Sequence, residues 1–147
     1  MKQITINTPF GKWQITEVSK DGILKFESLK SGEILTIQSN VSFHKTSIGS
    51  LVAWAKVNNH KFPNPTQMEF IEYLYNHYLK EWILEENISF DFPPATYITN
   101  EILSATINNP YGDDFVFNKY VCYDTYCSCV KVVDNKDNAK YILILNN

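Results

Sequence analysis

Three cysteines, Cys122, Cys127 and Cys129, lie within eight residues and are the first side chains that could bind a metal ion. Structural zinc sites usually draw on two pairs of ligands, each with Cys-x₂₋₄-Cys spacing. Here the spacing is Cys-x₄-Cys-x-Cys, and no second pair follows. The odd count, without a secretory leader, also argues against a disulfide framework. We therefore expect reduced, half-buried thiols, no metal site and no cofactor.

Residues for acid–base or nucleophilic catalysis are scattered along the chain. A nucleophilic site needs a cysteine or serine beside a histidine and an orienting acid. A small hydrolase would be built on His44 or His77 with a cysteine or Asp113, and it requires these groups to converge. Neither a Gly-x-Ser-x-Gly motif nor a glycine-rich phosphate-binding motif occurs. The sequence leans against an enzyme and leaves this alternative open.

All 13 basic residues of the chain are lysines and none is an arginine. The chain also has 15 asparagines. This bias is typical of an AT-rich genome, such as that of a low-GC bacterium or its phage. Guanidinium grips carboxylates, phosphates and guanine edges with two parallel hydrogen bonds, whereas lysine acts as a point charge. Mechanisms that need an arginine finger or an arginine phosphate clamp are therefore excluded.

Charge is unevenly distributed along the chain. Residues 1–63 hold eight lysines against four acids, a net charge of +4, and residues 64–147 hold five lysines against twelve acids, a net charge of −7. Such asymmetry creates a field that can steer a charged partner. The sequence pI of about 5.6 opposes direct binding to nucleic acid.

The elements that must position these residues begin with strands. The first 40 residues alternate polar and apolar side chains between turns, and Asp21-Gly22 is a strong hairpin signal. We predict an antiparallel β-meander here, with strands around Ile4, around Trp13, from Ile23 to Leu29 and from Ile34 to Ile37.

Two helices are predicted in the middle of the chain. Residues 47–58 carry an apolar stripe at helical spacing, with Ser47 as the N-cap. The second helix begins with Asn64 at the N-cap, Pro65 at the first helical position and Gln67 three residues after the cap. Its apolar stripe predicts that it runs to about Glu85.

The C-terminal part is predicted to return to strands. Ile88, Phe90 and Phe92 alternate as in a strand, and 97–107 fits either a strand or a short helix. A turn-rich loop at 108–114 precedes predicted strands at 115–123, 127–134 and 139–145. The order indicates a single α+β domain spanning 1–147, with both helices packed on one face of the sheet.

Location and membrane association are inferred from what the chain lacks. No apolar run approaches the roughly 18 residues that a bilayer-spanning helix needs. The first residues alternate polar and apolar and do not resemble the apolar core of a signal peptide. We expect a cytoplasmic protein, in the host cytoplasm if the chain is encoded by a phage, with no membrane partner.

Aromatic residues make up 14% of the chain, and many tyrosines fall in its acidic part. Tyrosine supplies a large contact area at low entropic cost, so interfaces are enriched in it. Acids and tyrosines without arginine suit a surface that meets a basic partner. The predicted binding surface comprises Glu69, Glu72, Tyr97, Tyr111, Asp113, Asp114, Tyr120, Tyr123, Asp124 and Tyr126.

The resulting functional hypothesis is a non-enzymatic protein-binding module. It would act as an inhibitor or immunity-type protein, such as a phage anti-defence protein, by covering a basic site on a nucleic-acid enzyme. The main alternative is a small-ligand domain that binds a flat, nucleotide-like molecule on the concave face of the meander, with lysines and tyrosines as polar contacts. The sequence leaves the oligomeric state open.

Overall fold

The computed structural model describes residues 4–19, 21–39, 46–88 and 90–145. Its first four strands form the predicted antiparallel meander: β1 (Ile4–Thr8), β2 (Gly11–Val18), β3 (Ile23–Ser28) and β4 (Ile34–Gln38). The turn between β2 and β3 contains Gly22 at a φ of 82°, a left-handed conformation that glycine adopts without steric cost. The meander and its Asp-Gly turn are therefore confirmed.

The two helical stretches begin where their caps predict. In α1 (Ile48–Val57) the side chain of Ser47 accepts a hydrogen bond from Ser50 N. In α2 (Pro65–Leu74) Asn64 and Gln67 form a reciprocal capping box, with N···O distances of 2.7 and 2.9 Å. These bonds satisfy backbone N–H groups that have no partner within the helix.

The second helical stretch is continuous to Glu85, as predicted, but its middle is wider than an α-helix. A π-helical segment, Tyr75–Leu79, separates α2 from α3 (Lys80–Glu85), and Lys80 N bonds to Tyr75 O, five residues back. Such π-bulges insert one extra residue into the helical path. The extra residue shifts the side-chain register between α2 and α3, so a regular 3.6-residue stripe cannot describe the whole stretch.

A second sheet contains the longest strands, β6 (Thr96–Ile107), β7 (Phe115–Asp124) and β8 (Cys129–Val133), in that spatial order and antiparallel. The ambiguity over 97–107 is thereby resolved in favour of a strand. The pairing of β6 with β7 shifts register between Ile98 and Ile102, where a bulge or irregularity interrupts the ladder. Strands and helices are segregated along the chain, and the fold is α+β.

Two apolar clusters lie on opposite faces of the base of the β6–β7–β8 sheet. Tyr97 and Tyr123 belong to the larger cluster with α2 and the meander, whereas Ile98 and Cys122 belong to a smaller cluster with α1. Successive side chains in a strand point to opposite faces, so neighbouring residues separate the two clusters. The prediction that both helices pack on one face of one sheet is not confirmed.

Two predicted strands differ from what is observed. Phe90 and Phe92 are buried in the larger cluster, but no described residue from 88 to 95 is in a strand. The prolines that follow, Pro93 and Pro94, lack the N–H groups that a β-ladder requires. The predicted strand 139–145 is divided into two short strands that pair with different sheets.

These short strands pair the C-terminal part of the chain with two earlier strands. One of them, β9 (Asn138–Ala139), pairs with β5 (Thr46–Ser47), just before α1. The other, β10 (Leu143–Ile144), pairs with β4 at the edge of the meander. Two different partners cannot be met by one straight strand, which explains the break between them. Within the described ranges, the helices all lack the length and the apolar composition of a bilayer-spanning segment.

Phe70 joins α2 to the meander, and its removal should be costly. Its ring centroid lies 4.7 Å from that of Trp13 and 6.2 Å from that of Phe26. We expect Phe70→Ala to lower the free energy of unfolding by about 3–5 kcal/mol, because it leaves a cavity among these rings. Urea denaturation measures this change. The control is Leu84→Ala, at a side chain of α3 that is 75% exposed, for which a change within about 0.5 kcal/mol is expected.

Candidate functional site

The distal halves of β6 and β7 form an exposed hairpin arm, residues 102–120. Its pairing runs from Ile102 opposite Tyr120 to Ile107 opposite Phe115, and residues 108–114 close the hairpin. All the described side chains of the arm except those of Asn109 and Tyr120 are exposed. The base of the same strands is buried on both faces. The arm is therefore anchored at one end and open to solvent along its length.

One face of the arm is apolar. The strand register places Leu103, Ile107 and Phe115 on the same face, which continues onto β8 as Val130 and Val132. Each of these five side chains, called here the apolar arm face, is between 51% and 55% exposed. Exposed apolar side chains that share one face of a sheet form a surface that another molecule can cover, whereas isolated exposed apolar residues are common on protein surfaces.

The opposite face of the arm is more polar. It carries Ser104, Thr106 and Asn118 beside Ile102 and Val116, and Ser104 Oγ donates to Asn118 Oδ1 at 2.8 Å. The two faces of one hairpin thus differ in chemistry. This difference gives the arm a preferred side for contact with another molecule.

The charged groups on the apolar arm face neutralise each other. Lys119 forms an ion pair with Asp134, and this contact holds the pKa of the Asp134 carboxyl below its usual value. Both groups are exposed, so the pair contributes little to stability. Because the two charges are opposite, Lys119 and Asp134 together add no net charge beside the apolar arm face.

The loop at the tip of the arm presents acids and a tyrosine. Asn109 N donates to Asp114 Oδ1 at 3.1 Å, and Tyr111 N donates to Asn109 Oδ1 at 3.0 Å. These side-chain bonds to the backbone fix the turn. Tyr111 is 96% exposed, and Asp113 and Asp114 are also exposed. Three predicted surface residues therefore stand together at the tip.

Other predicted surface residues lie at the opposite end of the sheet. Tyr126 is 75% exposed in the turn between β7 and β8. The ten residues of β7 separate this turn from the tip loop by about 30 Å, at the rise of an extended strand. Asp124 is half-buried, and hydrogen bonds from Tyr126 N and Lys131 lower its pKa. The predicted single surface is thus divided into two regions.

Three of the predicted surface residues, Glu72, Tyr97 and Tyr123, are buried. Tyr97 donates its hydroxyl hydrogen to Pro93 O at 2.6 Å, and Tyr123 donates to Glu72 Oε1 at 2.7 Å. Burial is the main cause that raises the pKa of both tyrosines. These groups are structural, because a buried hydroxyl or carboxylate requires a hydrogen-bond partner. Exposure cannot be read from residue type alone.

The last two predicted surface residues have intermediate or separate positions. Tyr120 is half-buried against the cluster that contains α1. Glu69 is exposed on α2, away from the tip loop.

The sequence prediction missed Leu103, Ile107 and Phe115. The signal was the turn-rich loop between two strand-like segments, which is typical of a long hairpin.

The cysteines do not form the expected set of reduced thiols. Cys127 and Cys129 are joined in a disulfide across the turn before β8, with Cα atoms 5.2 Å apart. Ser128 between them has a φ of 52°. Only Cys122 is a free thiol; it is buried, and burial raises its pKa to about 12. The odd count argued against a framework of several disulfides, but it could not exclude one local pair.

The groups proposed for a hydrolase do not converge. His77 stacks on Tyr73 with ring centroids 4.2 Å apart, Asp113 lies in the tip loop, and Cys122 lies inside the smaller cluster. Among the described residues, no hydrogen bond or ion pair joins any two of them, and no group of three or more His, Cys, Asp or Glu could hold a metal ion. His44 falls outside the described ranges.

Comparisons with protein-family models, curated proteins and solved structures each found no match for this chain. Function therefore has to be argued from the geometry and chemistry of the chain itself.

The Tyr123–Glu72 hydrogen bond gives a direct test of the buried assignment. We expect Tyr123→Phe to lower the free energy of unfolding by about 1–3 kcal/mol, because the buried carboxylate loses its donor. Tyr126→Phe removes the same hydroxyl from an exposed turn and should change it by less than about 0.5 kcal/mol. Chemical denaturation of both variants measures the difference, and equal effects would contradict the assignment.

Thiol counting tests the arrangement of the cysteines. Without reductant, the native protein should react with no thiol reagent, and the unfolded protein should show the single thiol of Cys122. After reduction, Cys127 and Cys129 should react in the native state, because both are exposed. Cys122 should stay unreactive near pH 8, since its raised pKa keeps the thiol protonated. Two rapidly reacting native thiols before reduction would contradict the disulfide.

Proposed function

We propose that this protein is a non-enzymatic protein-binding module that engages its partner through the hairpin arm. The observation that carries the proposal is the apolar arm face. Its half-exposed leucine, isoleucine and phenylalanine side chains on the hairpin, and the valines on the adjoining strand β8, lose contact with water when a partner covers them. The anchored base supports this role, since a preorganised surface loses less conformational entropy on binding.

Charge complementarity determines the kind of partner we propose. The tip loop carries Asp113 and Asp114, Glu101 is exposed at the base of the arm, and residues 64–147 as a whole are acidic. The complementary surface is an apolar depression bordered by lysine or arginine. Nucleic-acid enzymes have cationic substrate channels, so the protein would act as an inhibitor or immunity-type protein, of the phage anti-defence kind, that covers such a site.

Sedimentation velocity of the protein alone is the first test, because a second copy could also cover the apolar arm face. We expect a monomer at all concentrations. A concentration-dependent dimer that Leu103→Ser with Phe115→Ser abolishes would assign the face to a second copy and overturn the proposal.

Capture of basic proteins is the second test. Proteins of a low-GC bacterial lysate that bind heparin are incubated with the chain, and complexes are identified by native mass spectrometry. A supporting complex contains a basic protein, dissociates as salt rises and is lost in the Leu103→Ser and Phe115→Ser variant. It should persist in the control Val57→Ser with Leu84→Ser, which changes exposed helical residues. Retention in both variants would contradict a role for the arm.

Neutralising the tip loop should slow association. Asp113→Asn with Asp114→Asn removes two charges, while the asparagine side chain keeps the oxygen that accepts from Asn109 N. At low salt we expect the association rate constant to fall about three- to tenfold with little change in dissociation, because the charges steer the encounter. Biolayer interferometry measures this, and the difference should vanish at high salt.

The control for this prediction is Asp21→Asn with Glu33→Gln, which removes two exposed charges from the meander. An equal fall of the association rate constant in the control would show that the net charge of the protein, and not the charges of the tip loop, determines this rate. An unchanged rate in the tip variant would contradict electrostatic steering by the arm.

A further inference from the structure

A cleft of about 450 Å³ lies beside the connector between α1 and α2. Its apolar lining includes Val52, Phe62 and Ile144, and its polar lining includes Lys56 and Lys61. This volume lies within the range of small-molecule sites, which combine an apolar floor with a few polar groups. The described lining residues come from α1, the α1–α2 connector, α2, β6 and β10, and none of them lies on β1–β4, the meander strands for which the sequence predicts a ligand site.

The walls of the cleft are held by backbone hydrogen bonds from three elements. His60 N donates to Ala55 O at 2.8 Å, Ile144 N donates to Lys61 O at 2.9 Å, and Asn100 N donates to Pro63 O at 3.0 Å. The connector is therefore fixed to α1, β10 and β6. A cleft that is already formed binds without a large ordering cost.

The charge of the cleft is opposite to that of the chain. Lys56 and Lys61 line it, and none of its described lining residues is an aspartate or glutamate, although the chain has 16 acids. Lysine ammonium groups donate hydrogen bonds and accept none. An anion is the ligand that such a lining attracts.

Three side-chain amides add donors to the lining. Asn64 Oδ1 and Gln67 Oε1 both accept backbone hydrogen bonds in the capping box of α2, so these oxygens are oriented by the helix. Their NH₂ groups have two donors each and do not take part in those bonds. Asn100 lines the same cleft from β6 and can offer both a donor and an acceptor.

We propose that this cleft binds a small phosphorylated molecule with a flat apolar body, of the size and chemistry of a nucleoside monophosphate. A phosphate dianion carries two negative charges, which the two lysine ammonium groups can balance as point charges. The apolar floor contacts the flat body, and the amides provide hydrogen bonds to its polar edges. This inference does not rest on the proposed function of the hairpin arm.

Titration of the full-length protein with AMP tests the proposal by calorimetry and by ¹⁵N–¹H NMR at low salt. We expect a dissociation constant below about 1 mM and shifts clustered at 56–67 and 100–102. The double substitution Lys56→Gln with Lys61→Gln should weaken AMP binding at least about tenfold. The control Lys30→Gln with Lys136→Gln removes the same charge from exposed turns and should leave the affinity within about twofold.

Three further probes distinguish the parts of the ligand. Adenosine lacks the phosphate, inorganic phosphate lacks the flat body, and benzoate replaces phosphate with carboxylate. Each should bind at least about tenfold more weakly than AMP. Equal binding of phosphate or benzoate would overturn the assignment of the ligand class. No shift at about 10 mM AMP, or an equal loss in the control variant, would overturn the site itself.

Fold checks keep the result interpretable. Lys56 and Lys61 are exposed, so their substitution should leave the unfolding midpoint unchanged. The tip-loop variant, Asp113→Asn with Asp114→Asn, should bind AMP with the same affinity as the unchanged protein. Loss of AMP binding with retained partner binding, or the reverse, separates this site from the hairpin arm.

Discussion

The base of the β6–β7–β8 sheet is buried on both faces, and the rest of this structure depends on that double burial. On β7, Cys122 points into the cluster that contains α1, and Tyr123 points into the cluster that contains α2 and the meander. Alternation along a strand makes this double contact possible without any bend of the backbone. The hydrogen bond from Tyr123 to Glu72 satisfies two polar groups that are buried between α2 and β7.

The same strands leave both clusters and continue into solvent. Leu103 and Phe115 are 51% and 55% exposed, and the β6–β7 ladder continues beyond the clusters to Ile107. A two-stranded ribbon is only marginally stable alone, so the arm depends on its anchored base for its conformation. This division of one hairpin into a structural base and an exposed arm is what makes the arm suitable as a preformed binding surface.

The surface separates charge as well as polarity. Acids stand at the tip of the arm, whereas Lys56 and Lys61 line the cleft beside the α1–α2 connector. The charge asymmetry between the two halves of the sequence thus has a spatial counterpart at these two places. Opposite local charges allow two unlike ligands to be attracted to different regions of one small protein, because the screening length at physiological salt is only about 8 Å.

The sequence by itself determined the features that depend on a few neighbouring residues. The Asp21-Gly22 turn, the Ser47 cap and the capping box of Asn64 and Gln67 were all predicted, since each is a local hydrogen-bond or backbone preference. Local pattern also predicted the α+β order of elements. It could not show that Tyr75–Leu79 forms a π-helix, because that depends on how the whole helical stretch fits its neighbours.

Only the tertiary structure decided which tyrosines and acids face solvent. Tyr97 and Tyr111 have the same chemistry, but Tyr97 lies inside the larger apolar cluster and Tyr111 lies at the tip of the arm. The alternation of Phe90 and Phe92 correctly marked buried side chains, but neither residue is in a strand. Burial and strand pairing are set by contacts between residues far apart in sequence, and a local pattern carries no record of those partners.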